Sequence, residues 1–147
     1  MFRIFTTKKK KPRRSRTKSK LDLQEDFIYK QYRSQAESLL RIRTQELAEH
    51  YGFEYNRVSI KNTKTRWGSC SSKRNINLHY KLLFVEDFYR DYVIIHELCH
   101  LRQMNHSKLF WDEVEAIMPN YKKAAIYMRK KHPQHILPSE MIKSVPE

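Results

Sequence analysis

Tyr92-Val-Ile-Ile-His96-Glu97-Leu98-Cys99-His100-Leu101, followed by His106, is the stretch from which the rest of the chain can be read. The apolar run Tyr92–Ile95 leads into two histidines four residues apart. On a helix, such residues share one face with about 5–6 Å between their Cβ atoms, so both imidazoles can reach one ion. Glu97 sits about 100° round the helix from His96. That puts it beside the ion, where it can take a proton from water. Burying two uncompensated imidazoles on an apolar helix would be costly, and a metal removes that cost. His106 would lie about 9 Å beyond His100 on a straight helix, so the chain must turn between them. Met104-Asn105 offers the turn, because Asn tolerates left-handed backbone angles. Three neutral imidazoles leave the fourth tetrahedral position open, as a catalytic zinc requires. The segment predicts one zinc per chain on His96, His100 and His106, with Glu97 as general base; other divalent ions also suit imidazole.

Working outward, Leu23, Phe27, Tyr32, Ala36, Leu39, Leu40, Leu47 and Ala48 recur at helical spacing. Gly52 is a suitable stop for that helix. Arg57–Lys61 alternates as a strand with Val58 and Ile60 on one face, Lys64–Cys70 reads as a second extended segment, and Asn75–Tyr80 as a third. A helix should begin near Glu86-Asp87 and run through Leu101. Ser107 can cap another that carries Leu109, Phe110, Val114 and Ile117 as far as Pro119, and a last helix spans about Asn120–Lys131. The expectation is an α+β domain, with a small antiparallel sheet, an active-site helix and flanking helices.

The net charge of +14 is unevenly spread. Residues 1–20 contain ten Lys or Arg and no acid, leaving +4 for residues 21–147. Lys8–Lys20 has no apolar residue to bury, so residues 1–20 are expected to be a disordered basic arm. Such an arm could contact nucleic acid or another polyanion through residues 8–20, or simply be solvated. Residues 21–131 form the expected folded domain and 132–147 a tail. No apolar run is long enough for a membrane span or a secretory leader, and two cysteines do not make a disulfide scaffold, so a cytoplasmic protein with reduced thiols is expected.

Arg66-Trp-Gly-Ser-Cys70, Ile76-Asn-Leu78, Tyr92–Leu101 and Asn105-His-Ser107 with Phe110-Trp111, in that order, resemble the YgjP-like metallopeptidases. These are zincin-like proteins related to the WLM and SprT-type groups, and the resemblance covers roughly Leu23 to Arg129. It implies a minimal zincin fold with the active-site helix against a short sheet, zinc on His96, His100 and His106, and a catalytic carboxylate at Glu97. Two departures stand out. A basic arm replaces the β-rich region that precedes the first helix in longer members, and His79 stands where the pattern Ile-Asn-Leu-Asn has Asn. The histidine spacing is also that of metzincins, but Gln103 occupies the place of their turn glycine, and Met118 reads as a core methionine.

Arg66, Trp67 and Gly68 are candidate substrate-binding residues, since an edge strand beside the metal can pair with a peptide backbone and Gly68 permits close approach. In the alternative, Trp67 fills the core and Arg66 pairs with an acid. His79 could donate to a developing oxyanion or sit on the sheet surface, which is the expectation. Cys99 is expected in the core. The leading function is a zinc metallopeptidase in which Glu97 assists attack of zinc-activated water on a peptide or protein substrate. One alternative is a metal-dependent nucleotide phosphohydrolase holding phosphates on Arg66, Lys73 and Arg74. It lacks a carboxylate cluster or Gly-rich loop. Another is a nucleic-acid-associated protease or binder recruited by the arm. Arg66, His79 and Tyr121 are candidate electrophiles.

Overall fold

Ser19 starts the first helix. In the computed structural model, which describes residues 16–136, its hydroxyl accepts the Asp22 N–H at 3.1 Å, while the Asp22 carboxylate accepts the Ser19 N–H at 3.0 Å. This capping box satisfies two otherwise orphaned donors. It opens α1 (Lys20–Tyr51), 32 residues long and so about 48 Å. The helix begins before Leu23, so Lys20 belongs to it and not to the arm. It ends at Gly52, whose φ of 73° gives the left-handed cap expected there. Ala36, Leu40, Thr44, Leu47 and Ala48 form its buried stripe. Leu23 and Phe27 continue the helical period yet are 57% and 68% exposed, while their neighbours Ile28, Tyr29 and Tyr32 pack against the core. The rest of the basic arm, residues 1–15, lies outside the described residues, as do residues 137–147 of the tail.

The three strands are β1 (Arg57–Lys61), β2 (Gly68–Cys70) and β3 (Asn75–His79), in the order β1-β3-β2. The expected antiparallel sheet is in fact mixed. β2 and β3 are antiparallel, with Gly68 opposite Leu78 and Cys70 opposite Ile76. β1 and β3 are parallel, with Val58 beside Ile76 and Ile60 beside Leu78. The tight turn through Arg74 (φ 63°), closed by its N–H on the Ser71 carbonyl, forces the β2–β3 pair to be a hairpin. The connection through residues 62–67 instead skips one strand position, and β3 fills the gap. Alternating apolar residues identify the buried face, Val58, Ile60, Ile76 and Leu78, whatever the strand direction.

A 3-10 turn, Tyr80–Phe84, follows β3. It buries Lys81, whose Nζ donates to Glu25 Oε1 (2.8 Å) and to the carbonyls of Pro133 (3.0 Å) and Ile136 (3.1 Å). The start of the expected tail, residues 132–136, is thereby tied to α1. Three further helices complete the domain: α2 (Asp87–Cys99), α3 (Lys108–Ile117) and α4 (Tyr121–Lys130). α2 stops short of the expected Leu101, because the Leu101 N–H closes onto the Leu98 carbonyl at 2.9 Å. That tightening turns the chain out of the helix just after His100. Among the described residues, no helix is long and apolar enough to cross a membrane.

Candidate active site

His96 comes from the last turn of α2, His100 caps that helix, and His106 lies in the loop before α3. Their candidate ligand atoms all fall within 4.8 Å of one another. His106 Nε2 is 3.1 Å from both His96 Nε2 and His100 Nε2. Nitrogens bound tetrahedrally at about 2.05 Å would stand about 3.3 Å apart, so the trio fits a small divalent ion. The opposite edges of two rings are also engaged. His100 Nδ1 donates to the Gln103 carbonyl at 2.9 Å, which leaves Nε2 as a bare lone pair. The Tyr92 hydroxyl lies 3.4 Å from His96 Nδ1. Burial, reinforced by the other two imidazoles, pushes the His96 pKa down to about 3, so that ring is a neutral ligand at physiological pH.

Aromatic packing holds the arrangement. The first turn of α3 stacks Phe110 on His100 (22° between planes, centroids 4.4 Å apart) and Trp111 on His106 (25°, 5.8 Å). Cys99, between the helical ligands, is fully buried and contributes no ligand atom to the group. Both cysteines are free.

Glu97 is 6% exposed and lines the same cleft as His96. Burial pushes its pKa up to about 8, and only Arg66 works against this. A cation among the three imidazoles would act in the same direction as Arg66. The carboxylate lies directly over Gly68. A Cβ there would meet Glu97 Cγ at 2.9 Å, its Oε1 at 3.0 Å and the Asn77 carbonyl at 3.1 Å. The glycine is therefore needed by the general-base candidate of the same chain, where the sequence suggested room for a substrate backbone.

His96 and Glu97 line a cleft of about 290 Å3 with Arg66, Trp67, Gly68, Tyr92, Arg129 and His132. A larger cavity of about 650 Å3, between α1, the 3-10 turn and α4, contains none of the three histidines; converging ligand atoms identify the site better than volume does. Arg66 lines the cleft without a carboxylate partner among the described residues, and Trp67 does so while its indole donates to the carbonyls of Met128 (3.2 Å) and Lys131 (2.6 Å).

His79 is a correction. It is 2% exposed, not on the sheet surface, and does not line this cleft. Its Nε2 donates to the Thr63 carbonyl at 2.8 Å and its Nδ1 accepts the Lys81 N–H at 3.1 Å. With both nitrogens engaged it has nothing to offer an oxyanion. Tyr121 stacks on Trp111 and does not line the cleft either. Nor is the phosphate clamp assembled: from the hairpin turn the Arg74 guanidinium donates to the Glu54 carbonyl between α1 and β1. Tyr92, Arg129 and His132 were not anticipated as site residues. Only Tyr92 had a signal, its position four residues before His96 on the same helix face.

The sequence profile of the YgjP-like metallopeptidase domain matches residues 3–131. No curated protein matches the chain. Among solved structures, the crystal structure of the metallopeptidase zymogen abylysin from Pyrococcus abyssi is similar to it. That protein is 25% identical, with a TM-score of 0.57, over 67% of this chain and 99% of the other. The match spans the hairpin, the histidine-bearing helix and the aromatic turn after it, and on that basis this chain belongs to the YgjP-like family of metallopeptidase domains.

Proposed function

We propose that the chain is a zinc-dependent peptidase in which His96, His100 and His106 hold the ion and Glu97 is the general base. The observation that carries this reading is the convergence of three Nε2 atoms beside the buried Glu97 carboxylate in one cleft. When bound, the ion supplies Lewis acidity toward a scissile carbonyl and toward water. Glu97 accepts a proton and returns it to the leaving amine. Tyr92 and the Gln103 carbonyl orient His96 and His100 from behind. β2 is an edge strand beside α2, so a peptide can add to it as a further strand. The free, largely buried thiols fit a reducing compartment, and we assign the protein to the cytoplasm.

Metal analysis of untagged protein tests the site. The reading expects about one zinc per chain, lost in His96→Ala and His106→Ala but kept in Glu97→Gln, with peptide hydrolysis absent from all three variants. Wild type that takes up no stoichiometric metal when zinc is offered would sink the reading. For the arm, we propose polyanion contact through residues 8–20. Deleting residues 1–15 should weaken binding to DNA and flatten its dependence on salt; equal binding by the truncated chain rejects that role.

A further inference from the structure

One wall of the cleft is assembled from two segments more than sixty residues apart. The loop carrying Arg66 is fastened to the end of α4 by the Trp67 indole, which donates to the Met128 and Lys131 carbonyls. His132 Nδ1 adds a further hydrogen bond to the Thr65 carbonyl at 3.2 Å. The Thr63 hydroxyl, donating to the Arg66 carbonyl at 2.9 Å, braces the loop from within. The wall therefore presents Arg66 and Arg129 to one cleft from a fixed base. Glu97 is the only acidic residue among the described residues lining that cleft. Elsewhere Arg33, Arg43, Arg90 and Arg102 each pair with a carboxylate of this chain. Arg66 and Arg129, like Arg41, Arg57 and Arg74, do not among the described residues, but they are the two arginines that line this cleft.

Guanidinium groups offer planar, bidentate donors that match a carboxylate. Two of them on one wall beside the general-base candidate leave a positively charged position for a group the protein itself does not supply. Trp67 and Met128 line the same cleft and provide apolar surface for the stem of such a group.

We propose that Arg66 and Arg129 form a carboxylate subsite, and that the favoured substrates are peptides with an acidic group close to the scissile bond. This rests on the peptidase reading for the bond that is cut, but not for what the wall binds. The carboxylate could belong to an Asp or Glu side chain or to the C-terminus of a peptide.

Labelled peptides in matched pairs test it. One series replaces Glu by Gln at single positions, and another replaces a free C-terminus by an amide. Binding is read by fluorescence anisotropy with full-length Glu97→Gln protein, and kcat/KM with the wild type. The expected result is a preference of about tenfold for the acid over its amide at one position, the size of one charge-assisted hydrogen bond. The series in which it appears tells a side chain from a terminus. Arg66→Gln and Arg129→Gln should each bring the acid-to-amide ratio toward one, while Arg41→Gln, on the exposed face of α1, leaves it unchanged. A ratio near one in every pair, or a ratio that survives the Arg66→Gln/Arg129→Gln double variant, overturns the subsite. Acid preference in binding without any cleavage would leave the subsite standing and reject the peptidase. Cleavage without acid preference would do the reverse.

Discussion

Replacing His79 by Asn, the residue that the family pattern holds there, should change how stability depends on pH more than it changes stability at neutral pH. Burial lowers the His79 pKa to about 4; the facing Lys81 adds to this, and the Thr63 hydrogen bond opposes it. The geometry gives the same direction. Nδ1 accepts the Lys81 N–H, and a proton on Nδ1 would set donor against donor. Because the folded pKa lies below the unfolded value of about 6.5, the unfolded chain binds the proton first as pH falls. The contribution is thus fully present above pH 6.5 and is lost between there and pH 4. At pH 5 the loss works out at about 2 kcal/mol, rising to about 3 kcal/mol below pH 4. Urea unfolding of metal-stripped wild type and His79→Asn at pH 7.5 and pH 5 isolates the effect, since His96 and His100 are present in both. The stability gap between the two proteins should shift by about 2 kcal/mol in favour of the variant on acidification. A gap that stays constant within about 0.5 kcal/mol would refute the account of His79 as a buried ring held neutral by its two backbone partners.

Gly68→Ala must displace Glu97 by roughly 0.5 Å to restore ordinary contact from the 2.9 Å its Cβ would otherwise make. It should retain zinc yet lose about tenfold in kcat/KM; unimpaired hydrolysis would show that Glu97 does not depend on that gap. Lys81→Met strands two carbonyls that Nζ now binds and leaves Glu25 with only the Tyr80 hydroxyl, and should cost about 3 kcal/mol in urea unfolding. A loss below about 1 kcal/mol would mean that this junction contributes little. Zinc at a hundred times its Kd should stabilise the chain by about 2.7 kcal/mol, seen as a rise of roughly 5–10 °C in Tm, and a Tm unmoved by zinc argues against the site. Because Trp111 stacks on His106, cobalt titration should quench tryptophan emission, and Trp111→Phe should remove most of that signal.

The helices were legible because their periodicity, caps and stops are local. Ser107 opens α3 and Gly52 ends α1, each within a residue or two of its expected place. The sheet was legible only by face. Val58, Ile60, Ile76 and Leu78 alternate alike in a parallel or an antiparallel pair, so strand direction depends on what residues 62–67 do, and nothing in Asn62-Thr-Lys-Thr-Arg-Trp67 specifies a skipped strand. Tyr80–Phe84 was missed because a short 3-10 turn has neither period. Its one charged residue, Lys81, looks exposed in sequence and is buried because its three acceptors come from residues 25, 133 and 136.

The same division runs through the candidate site. His96, Glu97 and His100 lie within one helical turn, so their spacing alone places them on adjoining faces, and His106 needed only a turn that Asn105 permits. Gly68 was picked out for the correct physical property, a missing Cβ, but the neighbour that needs it had no signal in the sequence. The space it frees is filled by Glu97, and only a sheet packed against α2 could reveal that. His79 shows the opposite error: an isolated histidine on a strand carries no sequence sign of whether water or backbone will satisfy it. Arg129 and His132 lie beyond any motif, and they reach the cleft because Trp67 binds the end of α4. In this chain the groups proposed for chemistry can be read from one segment. Of the groups proposed for selectivity, Arg66 stands in a readable motif, but its pairing with Arg129 depends on a contact made between segments and becomes visible only once the chain is folded.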